Sequence, residues 1–140
     1  MARSSTLSLV IHTDGGARGN PGPAAIGVVI TTPAGERVDA FGRTIGSTTN
    51  NQAEYQALEA ALIKAGELGA TELDCYLDSQ LVVQQVKGEW KVKEASLRPN
   101  VERVRALASR FSRVSYHYVP REQNAAADRL VNEALDADSR

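Results

Sequence analysis

The segment 49–68, TNNQAEYQALEAALIKAGEL, marks the point where the hydrophobic pattern of the chain changes from the period of a strand to that of a helix. Thr49 and Gln52 form a capping-box pattern at its start, and Gly69 follows its end. Apolar residues recur between them at helical spacing: Leu58, Ala61, Leu62, Ala65 and Leu68. The segment therefore predicts a helix, which separates a strand-rich part of the chain from a part in which strands and helices alternate.

Upstream of this helix, β-branched runs and turn residues predict a meander of three strands. The predicted strands are Ser8 to Asp14, Ala25 to Thr32 and about Glu36 to Ile45. Gly15-Gly16 ends the first strand and opens a loop that runs to Pro23. Pro33-Ala34-Gly35 forms the turn that pairs the second and third strands as a hairpin.

Downstream of the helix, short apolar runs alternate with helical patterns. The predicted elements are a strand from Leu73 to Leu77, a helix from Ser79 to Val86, a helix from Leu97 to Phe111, a strand from Val114 to Val119 and a helix from Asn124 to Leu135. A meander followed by such alternation predicts the α/β class, with a five-stranded mixed sheet flanked by helices. A chain of 140 residues fits one domain, residues 1–140, and we expect residues 136–140 to form a flexible tail.

Composition excludes several classes of protein. No apolar run approaches the ~20 residues that span a bilayer, and Met1 to Thr6 is not followed by the apolar segment of a secretory signal, so we expect no membrane association. The single cysteine, Cys75, excludes an internal disulfide and a cysteine-rich zinc site, which favours a cytoplasmic location. A net charge of −1 excludes a surface that is basic throughout.

Charge is nevertheless unevenly distributed along the chain. Residues 51–80 hold six acidic side chains and one basic one, whereas residues 87–113 hold eight basic and three acidic ones. One interpretation is two solvated helix faces. The other is a negative site that holds cations beside a positive surface that holds a polyanion.

Four acidic residues stand where the pattern calls for an apolar residue or a strand end. Asp14 and Asp78 close the first and fourth predicted strands. Glu54 lies on the apolar stripe of the first helix, and Asp128 shares a side of the last helix with apolar residues. Taken singly, three have an ordinary structural explanation: Asp14 as a turn residue, Glu54 as a first-turn acid and Asp78 as an N-cap.

Taken together, these acids also suggest a metal site. Ligands of open α/β sheets bind at the carboxyl ends of the strands, where we expect Asp14 and Asp78. Buried carboxylates repel one another unless cations neutralise them. A set of oxygen ligands without His or Cys favours Mg²⁺ or Mn²⁺ over zinc. Two such ions ~4 Å apart form a template for phosphodiester hydrolysis.

Four motifs, in this order along the chain, resemble those of the type 1 ribonuclease H family. They are Thr13-Asp14-Gly15-Gly16-Ala17-Arg18-Gly19-Asn20-Pro21-Gly22-Pro23, Thr48-Thr49-Asn50-Asn51-Gln52-Ala53-Glu54, Leu77-Asp78-Ser79-Gln80-Leu81-Val82 and Val119-Pro120-Arg121-Glu122-Gln123-Asn124-Ala125-Ala126-Ala127-Asp128. The likeness runs from about residue 8 to residue 136, and the last motif resembles that of compact family members.

This resemblance implies the ribonuclease H fold and a hydrolase that cuts the RNA strand of RNA–DNA hybrids internally, leaving 5′-phosphate and 3′-hydroxyl ends. It implies two Mg²⁺ ions, replaceable by Mn²⁺, at a site made by Asp14, Glu54, Asp78 and Asp128. The hybrid is the implied partner, and no obligatory protein partner is implied.

The resemblance also implies a set of substrate-binding residues. They are Gly15, Gly16, Asn20, Thr49, Asn50, Asn51, Gln80 and Trp90. Asn20, Asn51 and Gln80 match positions that touch the minor groove, and the backbone at Gly15 and Gly16 is expected near 2′-hydroxyl groups. Thr49 and Asn20 match positions that hold a phosphate of the DNA strand, and Trp90 matches an aromatic residue packed on the DNA backbone. Simple helix capping by Asn50-Asn51 and ordinary packing of Trp90 remain alternatives.

Two features depart from some members of the family. The segment from Lys87 to Arg98 leaves no room for a basic protrusion, and no histidine lies between His117 and Asp128. We expect the chemistry to survive both losses. Arg121, a charged residue seven positions before Asp128, is the candidate for contacting the scissile region, and its alternative is a solvated loop arginine.

Two other functions remain open on the same fold. One is a module that binds hybrids without cutting them, which would need a broken set of acids, although all four are present. The other is a different nuclease, such as a proofreading exonuclease, which would share the acids but not the Asn50-Asn51 and Asp78-Ser79-Gln80 motifs.

Overall fold

The computed structural model describes residues 6–139, within which five strands form one mixed sheet in the order β3-β2-β1-β4-β5. The strands are β1 (Ser8–Ala17), β2 (Gly22–Thr31), β3 (Arg37–Thr48), β4 (Glu72–Leu77) and β5 (Arg113–Tyr118). β1, β2 and β3 form an antiparallel meander, whereas β4 pairs in parallel with β1 and β5 pairs in parallel with β4. The predicted five-stranded mixed sheet is confirmed.

Four helices flank the sheet and confirm the predicted α/β class. They are α1 (Asn50–Glu67), α2 (Gln80–Val86), α3 (Arg98–Ala108) and α4 (Ala125–Asp138), with short 3₁₀ turns at Ala95–Leu97 and Arg121–Gln123. Thr49 is the N-cap of α1, as the sequence predicts, because its Oγ1 accepts a hydrogen bond from the backbone N–H of Gln52 at 3.2 Å. Among the described residues, none of the helices has the length and apolar character that crossing a membrane requires.

The prediction that the first strand ends at Asp14 is wrong. Gly15, Gly16 and Ala17 continue the antiparallel pairing of β1 with β2. Glycine weakens a strand without excluding it, and the neighbouring strand supplies the hydrogen bonds here. The pairing of β1 with β4 does end at Thr13, so Asp14 is the first residue of β1 that extends beyond β4.

The end of the chain also differs from the expectation. Asp136–Asp138, expected in a flexible tail, form the last turn of α4. Asp136 makes an ion pair with Arg18 at 2.7 Å, which ties this turn to the loop after β1. Residue 140 lies outside the described residues.

The main hydrophobic core lies between the sheet and the helices α1, α2 and α3. Its largest contributors are almost fully buried: Ile11, Val28, Ile30, Leu58, Leu62, Leu73, Leu77, Val82, Leu97 and Val104. Tyr55 is buried among them, and its hydroxyl donates a hydrogen bond to Gln85 Oε1 at 2.6 Å. The polar end of this tyrosine is therefore satisfied inside the core.

Helix α4 covers the opposite face of the sheet, where it lies on two glycines. A Cβ on Gly27 would overlap the carbonyl oxygen of Ala127, and a Cβ on Gly42 would lie 2.6 Å from the carbonyl oxygen of Leu130. Gly27 and Gly42 are paired residues of β2 and β3, so the helix rests directly on the backbone of both strands. Gly27 also pairs with Asp14, which brings α4 over the end of β1.

We expect Gly27→Ala to lower the free energy of unfolding by more than about 2 kcal/mol, because the added methyl group overlaps helix backbone. The matched control is Gly66→Ala in α1, where the added Cβ would meet no atom closer than 3.8 Å. Alanine favours a helix over glycine, so the control should gain up to about 0.5 kcal/mol. Urea unfolding measures the free energy of unfolding of both variants. Equal values for the two would contradict the close packing of α4 on Gly27.

Candidate active site

Asp14 and Asp78 come together at the point where the parallel pairing of β1 with β4 ends. Thr13 and Leu77 are the last paired residues of β1 and β4, and each acid is the next residue along its chain segment. The carboxyl ends of adjacent parallel strands meet at one edge of a sheet, which is where open α/β sheets bind ligands. The predicted position of both acids at this edge is confirmed.

Ser79, and not Asp78, is the N-cap of α2. The Ser79 Oγ accepts a hydrogen bond from the backbone N–H of Val82 at 3.3 Å. The capping explanation of Asp78 is therefore wrong. Its Oδ2 atom is instead buried without a hydrogen-bond partner among the described residues. A buried carboxylate oxygen without a donor is a costly arrangement that a bound cation relieves.

Glu54 is held by α1 against the backbone of β1. A Cβ on Gly15 would overlap the carbonyl group of Ala53, so only glycine lets this helix and strand approach so closely. The backbone N–H of Gly15 donates a hydrogen bond to Glu54 Oε1, and Glu54 is 8% exposed. Because α1 begins at Asn50, Glu54 lies beyond the first turn, and its interpretation as a first-turn acid is wrong.

Asp14, Glu54 and Asp78 form a tight cluster, since each offers a carboxylate oxygen within 4.8 Å of the others. Burial raises the pKa of Asp14 to about 7, and the negative charges of Asp78 and Asp128 act in the same direction. Burial also raises the pKa of Glu54 well above its usual value, as do the charges of Asp14 and Asp78. Like charges held this closely in a buried site favour the binding of protons or cations.

Asp128 reaches the same site from α4. It lines the cavity of about 420 Å³ that the other three acids line, but it lies outside their tight cluster. Asn132, one helical turn later, donates from Nδ2 to Asp128 Oδ2 at 3.4 Å and to the Asp128 carbonyl oxygen at 3.2 Å. Three of the four predicted ligands are thus brought close together, and the fourth lies at the edge of the group.

The donor set fits a hard divalent cation. All four acidic side chains offer oxygen atoms, and neither His nor Cys is among the described residues that line this cavity. Oxygen-only sets of this kind suit Mg²⁺ and Mn²⁺. The cluster of three carboxylates and the unpartnered oxygen of Asp78 are two separate observations that agree with this fit.

Several predicted substrate-binding residues line the same cavity: Gly15, Gly16, Asn50, Asn51 and Arg121. Asn20 and Thr49 lie beside it, at the start of α1. Asn20 Oδ1 accepts from the backbone N–H of Asn50 at 2.9 Å, and Asn50 Oδ1 accepts from the backbone N–H of Ala17 at 2.8 Å. These bonds occupy the side-chain oxygens of Asn20 and Asn50, so the side-chain NH₂ group of each residue remains to donate to a ligand.

A second groove of about 560 Å³ adjoins this cavity, because Asn51 lines both. Trp90, Lys91 and Lys93 also line the groove, and Trp90 is 46% exposed. Glu89 and Glu94 line the same groove, so its charge is mixed, and the predicted positive surface stays a prediction. Gln80 is exposed at the start of α2 and lines neither the cavity nor the groove.

Arg18 and Asn132 also line the cavity, although no sequence pattern singles them out as site residues. Asn132 follows Asp128 by four residues on a helix, so helical spacing alone could have pointed to it. The sequence alone does not indicate that Arg18 belongs to the site, because its position there depends on contacts between segments that are distant in the chain. His12 and His117 stack on the two faces of Tyr76 and do not line this cavity.

Comparison with known proteins agrees with this geometry. Residues 12–134 match the family described as "Reverse transcriptase-like". Ribonuclease HI of Halobacterium salinarum is 48% identical over 125 residues, which are 89% of this chain and 63% of the relative. The "Bifunctional protein Rv2228c" of Mycobacterium tuberculosis is 49% identical over 132 residues, which are 94% of this chain and 36% of the relative. The chain thus spans about a third to two thirds of the length of these curated relatives.

Two solved structures match this chain over almost their whole length. The crystal structure of RNase H1 from Halobacterium salinarum has a TM-score of 0.91 and 45% identity, covering 93% of this chain and 98% of that one. LC11-RNase H1, isolated from compost and crystallised with an RNA/DNA hybrid, has a TM-score of 0.90 and 43% identity, covering 94% of this chain and 99% of that one. On its motifs, its fold and these likenesses, the chain belongs to the type 1 ribonuclease H family.

Proposed function

We propose that this chain is an endoribonuclease that hydrolyses the RNA strand of RNA–DNA hybrids with two Mg²⁺ ions, for which Mn²⁺ can substitute. The observation that supports the proposal most is the tight cluster of buried Asp14 and Glu54 with half-buried Asp78, in which one oxygen of Asp78 has no hydrogen-bond partner among the described residues. The relative crystallised with an RNA/DNA hybrid supports the choice of substrate.

In this proposal Asp14, Glu54, Asp78 and Asp128 hold the ions. Bound there, divalent cations would supply the Lewis acidity that activates a water molecule and stabilises a leaving oxygen, and hydrolysis would leave 5′-phosphate and 3′-hydroxyl ends. The N–H of Gly15 keeps Glu54 oriented toward the site. Asp14 and Glu54 are buried, and burial strengthens the electrostatic interactions of their carboxylates.

In this proposal the substrate is held by residues beside the acids and by residues of the adjoining groove. The amide groups of Asn20, Asn50 and Asn51 offer donors beside the cavity, and Trp90, Lys91 and Lys93 offer an aromatic surface and positive charge in the adjoining groove. The RNA 2′-hydroxyl, a donor and an acceptor, is the group by which such a surface distinguishes RNA from DNA. The buried single cysteine, Cys75, agrees with a cytoplasmic location, which we include in the proposal.

We expect Asp14→Asn and Asp78→Asn to reduce hybrid cleavage more than about a hundredfold, ~2.7 kcal/mol of barrier, because the isostere keeps the shape and removes the charge that holds the cations. Asp74→Asn is the matched control, since Asp74 lies on β4 but pairs with Arg113 at 3.1 Å, away from the cavity. End-labelled hybrid, duplex DNA and duplex RNA, each with and without Mg²⁺, measure the effect. Binding of hybrid by the parent protein without Mg²⁺-dependent cleavage would contradict the proposal.

The raised pKa of Asp14 predicts a pH-dependent stability for the metal-free protein. Between about pH 4 and pH 7 the folded protein keeps a proton that the unfolded chain has released, so stability falls as the pH rises through 7. Asp14→Asn should flatten this slope, and Mg²⁺ should raise the melting temperature of the parent at pH 8. Melting curves in chelator across this range test it, and a parent and a variant with equal slopes would refute it.

Neutralising the groove should weaken substrate binding without removing the chemistry. We expect Lys91→Gln with Lys93→Gln to raise KM and to reduce the log–log salt slope of binding by roughly 0.7–0.9 for each phosphate that the protein no longer neutralises. Arg110→Gln is the control, because Arg110 lies beside a different surface groove, with Leu107 and Phe111. Binding to a catalytically inactive Asp14→Asn protein at several salt concentrations gives the slope. An unchanged slope would show that the lysines face away from the hybrid.

A further inference from the structure

Asn124 is a buried residue that lines neither the acidic cavity nor the substrate groove, but it contacts the strand that carries Asp14. It is 1% exposed, and its Nδ2 donates a hydrogen bond to the carbonyl oxygen of Thr13 at 2.8 Å. Thr13 is the last residue of β1 that pairs with β4, and Asp14 follows it directly. The amide of Asn124 therefore holds the backbone of β1 immediately before the first acid of the cluster.

The same residue also carries the start of α4. Its carbonyl oxygen accepts a hydrogen bond from the backbone N–H of Asp128 at 3.1 Å. Asn124 occupies the N-cap position of α4, yet its side chain makes no capping hydrogen bond with that helix. Asparagine at an N-cap ordinarily stabilises its own helix, so a side chain that bonds a strand instead gives up that contribution. Asn124 therefore joins the strand that carries Asp14 to the helix turn that carries Asp128.

A second asparagine holds Asp128 from the other side. Asn132 donates to Asp128 Oδ2, and its own Oδ1 accepts from Arg18 Nη2 at 3.5 Å. Arg18 in turn pairs with Asp136 at 2.7 Å, which attaches the loop after β1 to the next turn of α4. These bonds reach Asp128 from the solvent side, whereas Asn124 acts from the interior.

We propose that Asn124 and Asn132 are positioning residues that hold Asp128 toward Asp14 and Asp78 and so set the affinity of the site for divalent cations. The inference rests on the proposed function. It follows from the difference between the acids: Asp14, Glu54 and Asp78 are fixed by β1, α1 and β4, whereas Asp128 depends on where α4 lies. A ligand on a separate helix needs contacts that orient it, and removal of such contacts typically weakens metal binding tenfold or more.

The test uses the full chain and Mn²⁺ alone, titrated by calorimetry without nucleic acid. We expect Asn124→Ala to weaken Mn²⁺ binding about tenfold, and Asn132→Ala to weaken it less, because its bonds are longer and exposed. In steady-state cleavage, kcat should fall while KM for the hybrid stays near the parent value, since the groove of Trp90 is untouched. Higher Mn²⁺ should restore kcat in both variants but not in Asp14→Asn.

Asn100→Ala is the matched control for Asn124→Ala. Asn100 is also 1% exposed, and its Nδ2 donates to Glu59 Oε2 of α1 at 3.0 Å, away from the acidic cavity. Loss of this buried amide should lower the melting temperature without altering Mn²⁺ affinity. Asn124→Ser, which keeps a short donor, should recover part of the affinity that Asn124→Ala loses.

Two outcomes would overturn the inference. One is an Asn124→Ala protein that melts earlier, as the Asn100→Ala control does, but binds Mn²⁺ like the parent. The other concerns the case in which Asn124→Ala does not fold. Asn132 is exposed, so Asn132→Ala should fold and then serves as the test variant. Mn²⁺ affinity and kcat equal to those of the parent in Asn132→Ala would refute the proposal. A parent that binds no Mn²⁺ and cleaves no hybrid overturns the proposed function itself, a result distinct from either of these.

Discussion

The close approach of α1 to β1 at Gly15 is the contact on which the site depends. There is no space for a side chain between the Gly15 Cα and the Ala53 carbonyl, so helix and strand touch backbone to backbone. This contact lets a strand N–H reach a helix carboxylate, Glu54. Once the helix is fixed at this depth, the acids of β1, α1 and β4 meet with little freedom to move apart.

The fold therefore positions the four acidic residues in two ways, by strand pairing and by contacts of a helix. The parallel pairing of β1 with β4 fixes Asp14 and Asp78 through backbone hydrogen bonds, which a side-chain change elsewhere barely disturbs. Helix α4, on the opposite face, delivers Asp128 through a few specific contacts. Burial raises the pKa of Asp14 and of Glu54, so their charged forms are costly unless a cation neutralises them.

Much of this arrangement is predictable from sequence, because it follows from local patterns. Thr49 marks the start of α1, and the switch in hydrophobic period separates the meander from the alternating part. Asp14 and Asp78 stand at strand ends in the sequence and at the sheet edge in the structure. The role of Ser79 as N-cap is not predictable in this way, because Asp and Ser at adjacent positions are both good caps and only the helix geometry decides between them.

Other features depend on contacts between distant segments, which a local pattern does not contain. The extension of β1 through Gly15 and Gly16 requires β2 as a partner, and glycine taken alone indicates a turn. The last turn of α4 is accompanied by the pairing of Asp136 with Arg18, 118 positions earlier. The Asn124 to Thr13 bond likewise joins residues that are far apart in the chain.

The close contact of α4 with Gly27 and Gly42 has a consequence for partial unfolding of the molecule. A helix that rests on bare backbone removes little apolar surface from water there, so hydrophobic attachment at this point is weak even though the fit is close. Among its residues only Ala127, Val131 and Leu135 are buried, so the apolar attachment of α4 is small and the helix is a natural unit for local opening. A cation shared by Asp14 and Asp128 would act as a cross-link that closes a loop containing most of the chain, so loading the site would also fasten the helix.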